Sequence, residues 1–95
     1  MNSHALAVMT ASETNEWYTP IDLFTKLNAE FNFTTDPCAE PTNRLGLPVF
    51  FTKEQDGLSQ EWKGNVFINP PYDQVEAKWL KKASEYRGGV VAFLL

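Results

Sequence analysis

The sequence predicts an α/β fold built on a parallel sheet, and three observations carry that reading. Residues 90–95, Val90-Val91-Ala92-Phe93-Leu94-Leu95, form a continuous apolar run that suits a central strand buried on both faces. Segments with apolar residues at three- and four-residue spacing alternate along the chain with short β-like runs. The tetrapeptide Asn69-Pro70-Pro71-Tyr72 directly follows the apolar run Val66-Phe67-Ile68, and open α/β sheets bind ligands at the carboxyl ends of their strands.

Residues 1–14 lack both a basic leader and a long apolar stretch, so they read as a flexible tail rather than a signal peptide or membrane anchor. Thr19-Pro20-Ile21-Asp22 has the form of a helix start, with Thr19 as N-cap, Pro20 at the first helical position and Asp22 as an early acidic residue. That helix is expected over residues 20–30, with Leu23, Phe24, Leu27 and Phe31 on one buried face. Phe31-Asn32-Phe33-Thr34-Thr35 alternates apolar and polar before Asp36-Pro37, which predicts a first strand ending at Asp36. Residues 36–48 are rich in Pro, Asn and Gly and read as loop with at most one helical turn.

A second strand is expected over residues 49–52, and a third over 65–69. Between them Asp56-Gly57-Leu58 is turn-like and leads to Trp62. A helix over residues 74–86 carries Val75, Trp79, Leu80 and Ala83 along one side, and Gly88-Gly89 stops it. The final apolar run is then a fourth strand without enough partners, so residues 15–95 read as the N-terminal portion of a larger domain, its sheet incomplete.

Composition narrows the function classes. The chain has 95 residues, 43% of them apolar, which bounds it to one globular domain with a modest core. A net charge of −4 argues against a stand-alone nucleic-acid binder. The charge is uneven: residues 1–73 hold 4 basic and 10 acidic side chains, residues 74–95 hold 4 basic and 2 acidic. Lys78, Lys81 and Lys82 in the latter segment read first as a solvated helix face. A single cysteine, Cys38, and a single histidine, His4, leave no internal disulfide and no zinc spacing, so an intracellular, metal-free protein is expected.

The tetrapeptide carries the chemistry. Exocyclic ring amines are poor nucleophiles because their lone pair is delocalised into the ring. An Asn side-chain oxygen and a proline carbonyl can each accept one N–H, drawing the nitrogen toward tetrahedral geometry, a form of electrostatic stabilisation by fixed acceptors. Consecutive prolines hold the loop extended and aim its carbonyl in advance, while Tyr72 offers a flat face for stacking. The plainer alternative is a strand followed by a proline turn, with Tyr72 packing only. Average residue usage yields this tetrapeptide in roughly 3 of 10,000 chains of this length, which favours the functional reading.

With Glu16-Trp17-Tyr18-Thr19-Pro20, Asp36-Pro37-Cys38-Ala39-Glu40, Asp56-Gly57-Leu58 and Trp62 in order before Asn69-Pro70-Pro71-Tyr72, the chain resembles the phage-type DNA N6-adenine methyltransferases from residue 15 to residue 95. The resemblance implies a Rossmann-like sheet that binds S-adenosylmethionine and a reaction that moves its methyl group to adenine N6 in DNA. It implies that Asn69 and the Pro70 carbonyl hold the amine, Pro71 shapes the loop and Tyr72 stacks on the flipped base. On the cosubstrate side it implies Thr19 and Pro20 at a helix start, Asp36 on the ammonium or ribose hydroxyls, and Asp56 on the adenine amine.

Each cosubstrate residue keeps a structural alternative: Thr19 as a plain cap, Asp36 and Asp56 as turn residues. Trp17 and Trp62 line the pocket or simply pack. Many wider relatives place Gly-x-Gly after the strand-end acid, where this chain has Pro37-Cys38-Ala39. The resemblance further implies a phage or prophage origin, work in the cytoplasm of a bacterial host, and a setting such as restriction-modification. Two competing readings remain: a non-catalytic methyltransferase remnant that binds S-adenosylmethionine or a protein partner, and an interaction domain using its Trp and Pro surfaces.

Overall fold

The computed structural model describes residues 5–9, 19–70 and 76–94. In chain order these form β1 (Ala5–Met9), α1 (Ile21–Phe31), β2 (Thr35–Asp36), β3 (Val49–Phe50), β4 (Val66–Ile68), α2 (Glu76–Glu85) and β5 (Val90–Leu94). Two 3₁₀ turns, Lys53–Gln55 and Gly57–Ser59, lie between β3 and β4. The strands make one sheet in the order β1-β5-β4-β2-β3, every pair parallel. The expected α/β architecture is therefore the observed one.

Alternation along the central strands divides the core. Val66 and Ile68 of β4 and Val91 and Phe93 of β5 point to one face, where Trp62 and the α2 residues Trp79 and Ala83 cover them. Phe67, Ala92 and Leu94 point to the other, under Phe24 of α1 with Phe33 and Leu47. The period of two in the strands thus places the two helices on opposite faces. On the α1 face the rings of Phe24 and Phe67 meet edge-on at 5.2 Å, and Phe33 lies 5.4 Å from Phe67. On the α2 face Trp62 and Trp79 stack at 6.3 Å with 9° between their planes. Trp62 also donates from Nε1 to the Gly57 carbonyl at 2.9 Å, so its polar edge is satisfied inside the core.

Four sequence expectations change. Residues 5–9 of the expected tail form a strand, in register with β5 from Ala5 opposite Val90 to Met9 opposite Leu94. This strand supplies the neighbour that the apolar β5 requires on its far side, with Leu6 packed against the α2-side core. Thr19 is not a helix cap: Pro20 is at the cap position, and no side chain caps the helix there. Phe31 ends α1 instead of opening a strand, because Asn32 turns left-handed (φ 51°) and the Asn28 side-chain oxygen accepts the Phe33 N–H at 2.8 Å. Leu80 is 37% exposed rather than part of the buried side of α2; Val75 lies outside the described residues.

The lysines of α2 are not one continuous basic face. Lys81 pairs with Glu85 at 2.6 Å, but Lys82 turns inward over the Trp62 ring and donates to the carbonyls of Leu58 and Gln60. Desolvation lowers the Lys82 pKa, and the nearby Asp56 charge opposes that shift. No helix among the described residues is long and apolar enough to cross a membrane.

Candidate active site

β2 and β4 lie side by side, with Thr35 opposite Val66. From β2 the chain runs to β3 through residues 37–48, whose Leu45 and Leu47 pack on the α1 face. From β4 it runs the other way, to β5, through α2 on the opposite face. These diverging exits make the carboxyl ends of β2 and β4 a topological switch point, the usual place for a crevice in an open α/β sheet. Asp36 ends β2 and Asn69 follows the end of β4, so two of the predicted site residues flank this point.

Asn69 follows three fully buried residues, Val66, Phe67 and Ile68, and Pro70 is buried after it. This anchoring holds the Asn69 backbone at the rim. Its Nδ2 donates to Thr19 Oγ1 at 3.0 Å. Thr19 is only 4% exposed, and its carbonyl accepts from Arg44 Nη1 at 2.6 Å. The contact brings the amino end of α1 to the carboxyl end of β4. The first helical hydrogen bond there runs from Phe24 N–H to Pro20 C=O, and the preceding N–H groups of the first turn define the positive end of the helix dipole.

Asp36 is 5% exposed, and its Oδ1 accepts the Cys38 N–H at 3.2 Å. Burial pushes its carboxyl up to about 7; the Cys38 hydrogen bond opposes the shift and the Glu40 charge adds to it. A carboxyl that titrates near neutrality at a strand end marks a site where a cation or hydroxyl donors would be favoured. Burial, then the Asp36 charge, push the Cys38 thiol well above its ordinary range, which favours the protonated form.

Asp56 is exposed and left-handed (φ 54°) at the junction of the two 3₁₀ turns, where its carbonyl accepts from Ser59 N–H and Oγ. Its role as a turn residue is thus directly visible. Gly57 packs so tightly on the loop after β2 that a Cβ there would overlap the Pro37 carbonyl oxygen. The close approach holds the Asp56 turn against the residue next to Asp36. Gly57→Ala is therefore expected to destabilise the chain by about 1–3 kcal/mol, read as a lower urea midpoint, because the turn packs against rigid backbone with no side-chain end to give way.

Thr19, Pro20, Asp36, Asp56, Asn69 and Pro70 are thus described around one end of the sheet, whereas Pro71, Tyr72 and Trp17 lie outside the described residues. Trp62 belongs to the core beneath the Asp56 turn. Sequence reasoning missed Arg44, whose position in a Pro- and Asn-rich loop carries no local signal of its tie to Thr19. Among the described residues no group of three or more His, Cys, Asp or Glu side chains could hold a metal ion.

The model of the family described as DNA N-6-adenine-methyltransferase (Dam) matches residues 7–94. The chain belongs to the Dam family. Searches of the curated proteins and of the solved structures give no significant match. The Dam match begins within β1 and runs to the end of β5, so both strand ends at the switch point fall inside it. Membership in the Dam family associates the chain with DNA adenine methylation as a general activity.

Proposed function

We propose that the chain transfers a methyl group from S-adenosylmethionine to N6 of adenine in DNA. The observation that carries this reading is the placement of Asp36 at the end of β2 and Asn69 just past the end of the neighbouring β4, within a segment matched to the Dam family. On the target side, Asn69 Oδ1 and the Pro70 carbonyl accept the two N6 hydrogens, Pro71 sets the loop and Tyr72 stacks on the base. The target adenine leaves the helix to reach them, at a cost of a few kcal/mol that stacking partly offsets.

The donor set fits the cosubstrate. Asp36 is a buried carboxyl that gains most when an ammonium or hydroxyl donors reach it, and the amino end of α1 at Thr19-Pro20 favours a carboxylate. Asp56, on the turn held against Pro37, accepts from an adenine amine. S-adenosylmethionine supplies an already electrophilic methyl group. The protein's task is then mainly alignment: Asn69 and Pro70 hold the nitrogen, and the Asp36 side holds the donor, in line. The setting we propose is the cytoplasm of a bacterial host, with a phage or prophage source and restriction-modification as one context.

Methyl-labelled S-adenosylmethionine with unmethylated DNA is expected to label adenine N6. Label on cytosine, or equal labelling of DNA lacking adenine, would overturn the assignment, as would no transfer by the folded chain.

A further inference from the structure

We infer that Lys82 is a positioning residue for the cosubstrate, holding the Asp56 turn where it meets the adenine amine. This rests on the proposed role of Asp56 and extends that site to a residue of α2. Lys82 Nζ donates to the Leu58 carbonyl at 2.7 Å and to the Gln60 carbonyl at 2.5 Å, across 24 and 22 residues of sequence. An ammonium only donates and a backbone carbonyl only accepts, so the sense of both bonds is fixed.

Packing alone gives a lysine little reason to turn inward. Lys78 and Lys81 of the same helix stay exposed, and burying an ammonium is costly unless acceptors replace its water. Here the replacements are the two carbonyls and the Trp62 ring, whose centroid lies 4.7 Å from Nζ. Burial lowers the Lys82 pKa and the Asp56 charge raises it, so the turn and the lysine sense each other.

The turn needs such support. Gly57–Ser59 is a single short 3₁₀ turn, with poorer hydrogen-bond geometry than an α-helix. Asp56 before it is left-handed at φ 54°, a conformation that a residue with a side chain keeps where its surroundings impose it. Gly57 is held against the Pro37 backbone, and its carbonyl accepts from Trp62 Nε1 at 2.9 Å. Lys82 grips the carbonyls that follow, from the other side. Asp56 is thereby fixed between the loop leaving β2 and the helix that follows β4.

In the full chain, calorimetry compares S-adenosylhomocysteine with its analogue carrying hydrogen in place of the 6-amine. The wild type is expected to prefer the amine-bearing compound about tenfold. Lys82→Met keeps an unbranched side chain and removes the ammonium. It is expected to shrink the preference to within about twofold while affinity for the deamino analogue stays within about twofold, and Asp56→Ala to shrink the preference equally. A general loosening would weaken both ligands by one factor, and that result would overturn the role. A preference lost in Asp56→Ala but intact in Lys82→Met refutes the role of Lys82 alone. A wild type that binds neither compound or both alike, or an Asp56→Ala chain that keeps the preference, refutes the Asp56 contact and the inference with it. If Lys82→Met fails to fold, Lys82→Gln carries the same comparison, and a wild-type Lys82 ammonium that exchanges with water as freely as that of Lys78 overturns the two bonds directly.

Discussion

Asn69→Ala is expected to lower kcat for adenine methylation by about 10²–10³-fold while leaving S-adenosylmethionine affinity within a factor of two. The size follows from what the side chain does in the proposed reaction. Its oxygen gains most when the amine nitrogen moves toward tetrahedral geometry, so its removal is felt in the transition state more than in the ground state. Its backbone lies beyond a fully buried strand, so truncation leaves the strand end in place and removes the carboxamide, both the proposed acceptor and the bond from Nδ2 to Thr19. Single-turnover transfer with labelled donor, together with calorimetric titration of the donor alone, separates the two effects. Undiminished transfer would remove Asn69 from the target side.

Asp36→Asn is expected to stabilise the chain at pH 8 by on the order of 4 kcal/mol, with the advantage vanishing below pH 4. The Asp36 carboxyl is raised by burial to about 7, from an ordinary 3.8. The folded chain therefore binds this proton more tightly than the unfolded chain does. Between these values the wild type loses stability as pH rises, at most by about 1.4 kcal/mol per pH unit, and the loss is complete above 7. Asparagine removes the buried charge and keeps an oxygen for the Cys38 N–H. Urea denaturation at pH 4 and pH 8 measures the difference; an equal advantage at both values would assign the effect to packing. The same variant is expected to bind S-adenosylmethionine more weakly, so stability gained at this position opposes function.

Legibility from sequence followed the range of the interactions. β4 and β5 were evident because their apolar runs reflect burial on both faces, and the Asn69 tetrapeptide located a strand end correctly. Thr19 matched the local pattern of a cap, but a partner 50 residues away took its hydroxyl. Phe31 fitted both a helical stripe and a strand alternation; the Asn28 side chain, bonded to Phe33 N–H, decided for the helix. The Asp-Gly-Leu turn was readable, yet the need for glycine there comes from Pro37, which no local pattern announces. Ala5-Leu6-Ala7-Val8-Met9 looked like a tail because its pairing partner is β5.

The pairing of β1 with β5 has a consequence for how the molecule is made. During synthesis β1 leaves the ribosome before the other described strands, but the strand it docks on is the last of those described. Its hydrogen-bonding groups must wait until β5 has emerged, and closing so long a loop delays assembly. Pulse-labelled hydrogen exchange during refolding should therefore find the amides on the β1 side of β5 protected after those shared by β4 and β5. Simultaneous protection would mean that the early strand is recruited in the same step as the centre of the sheet.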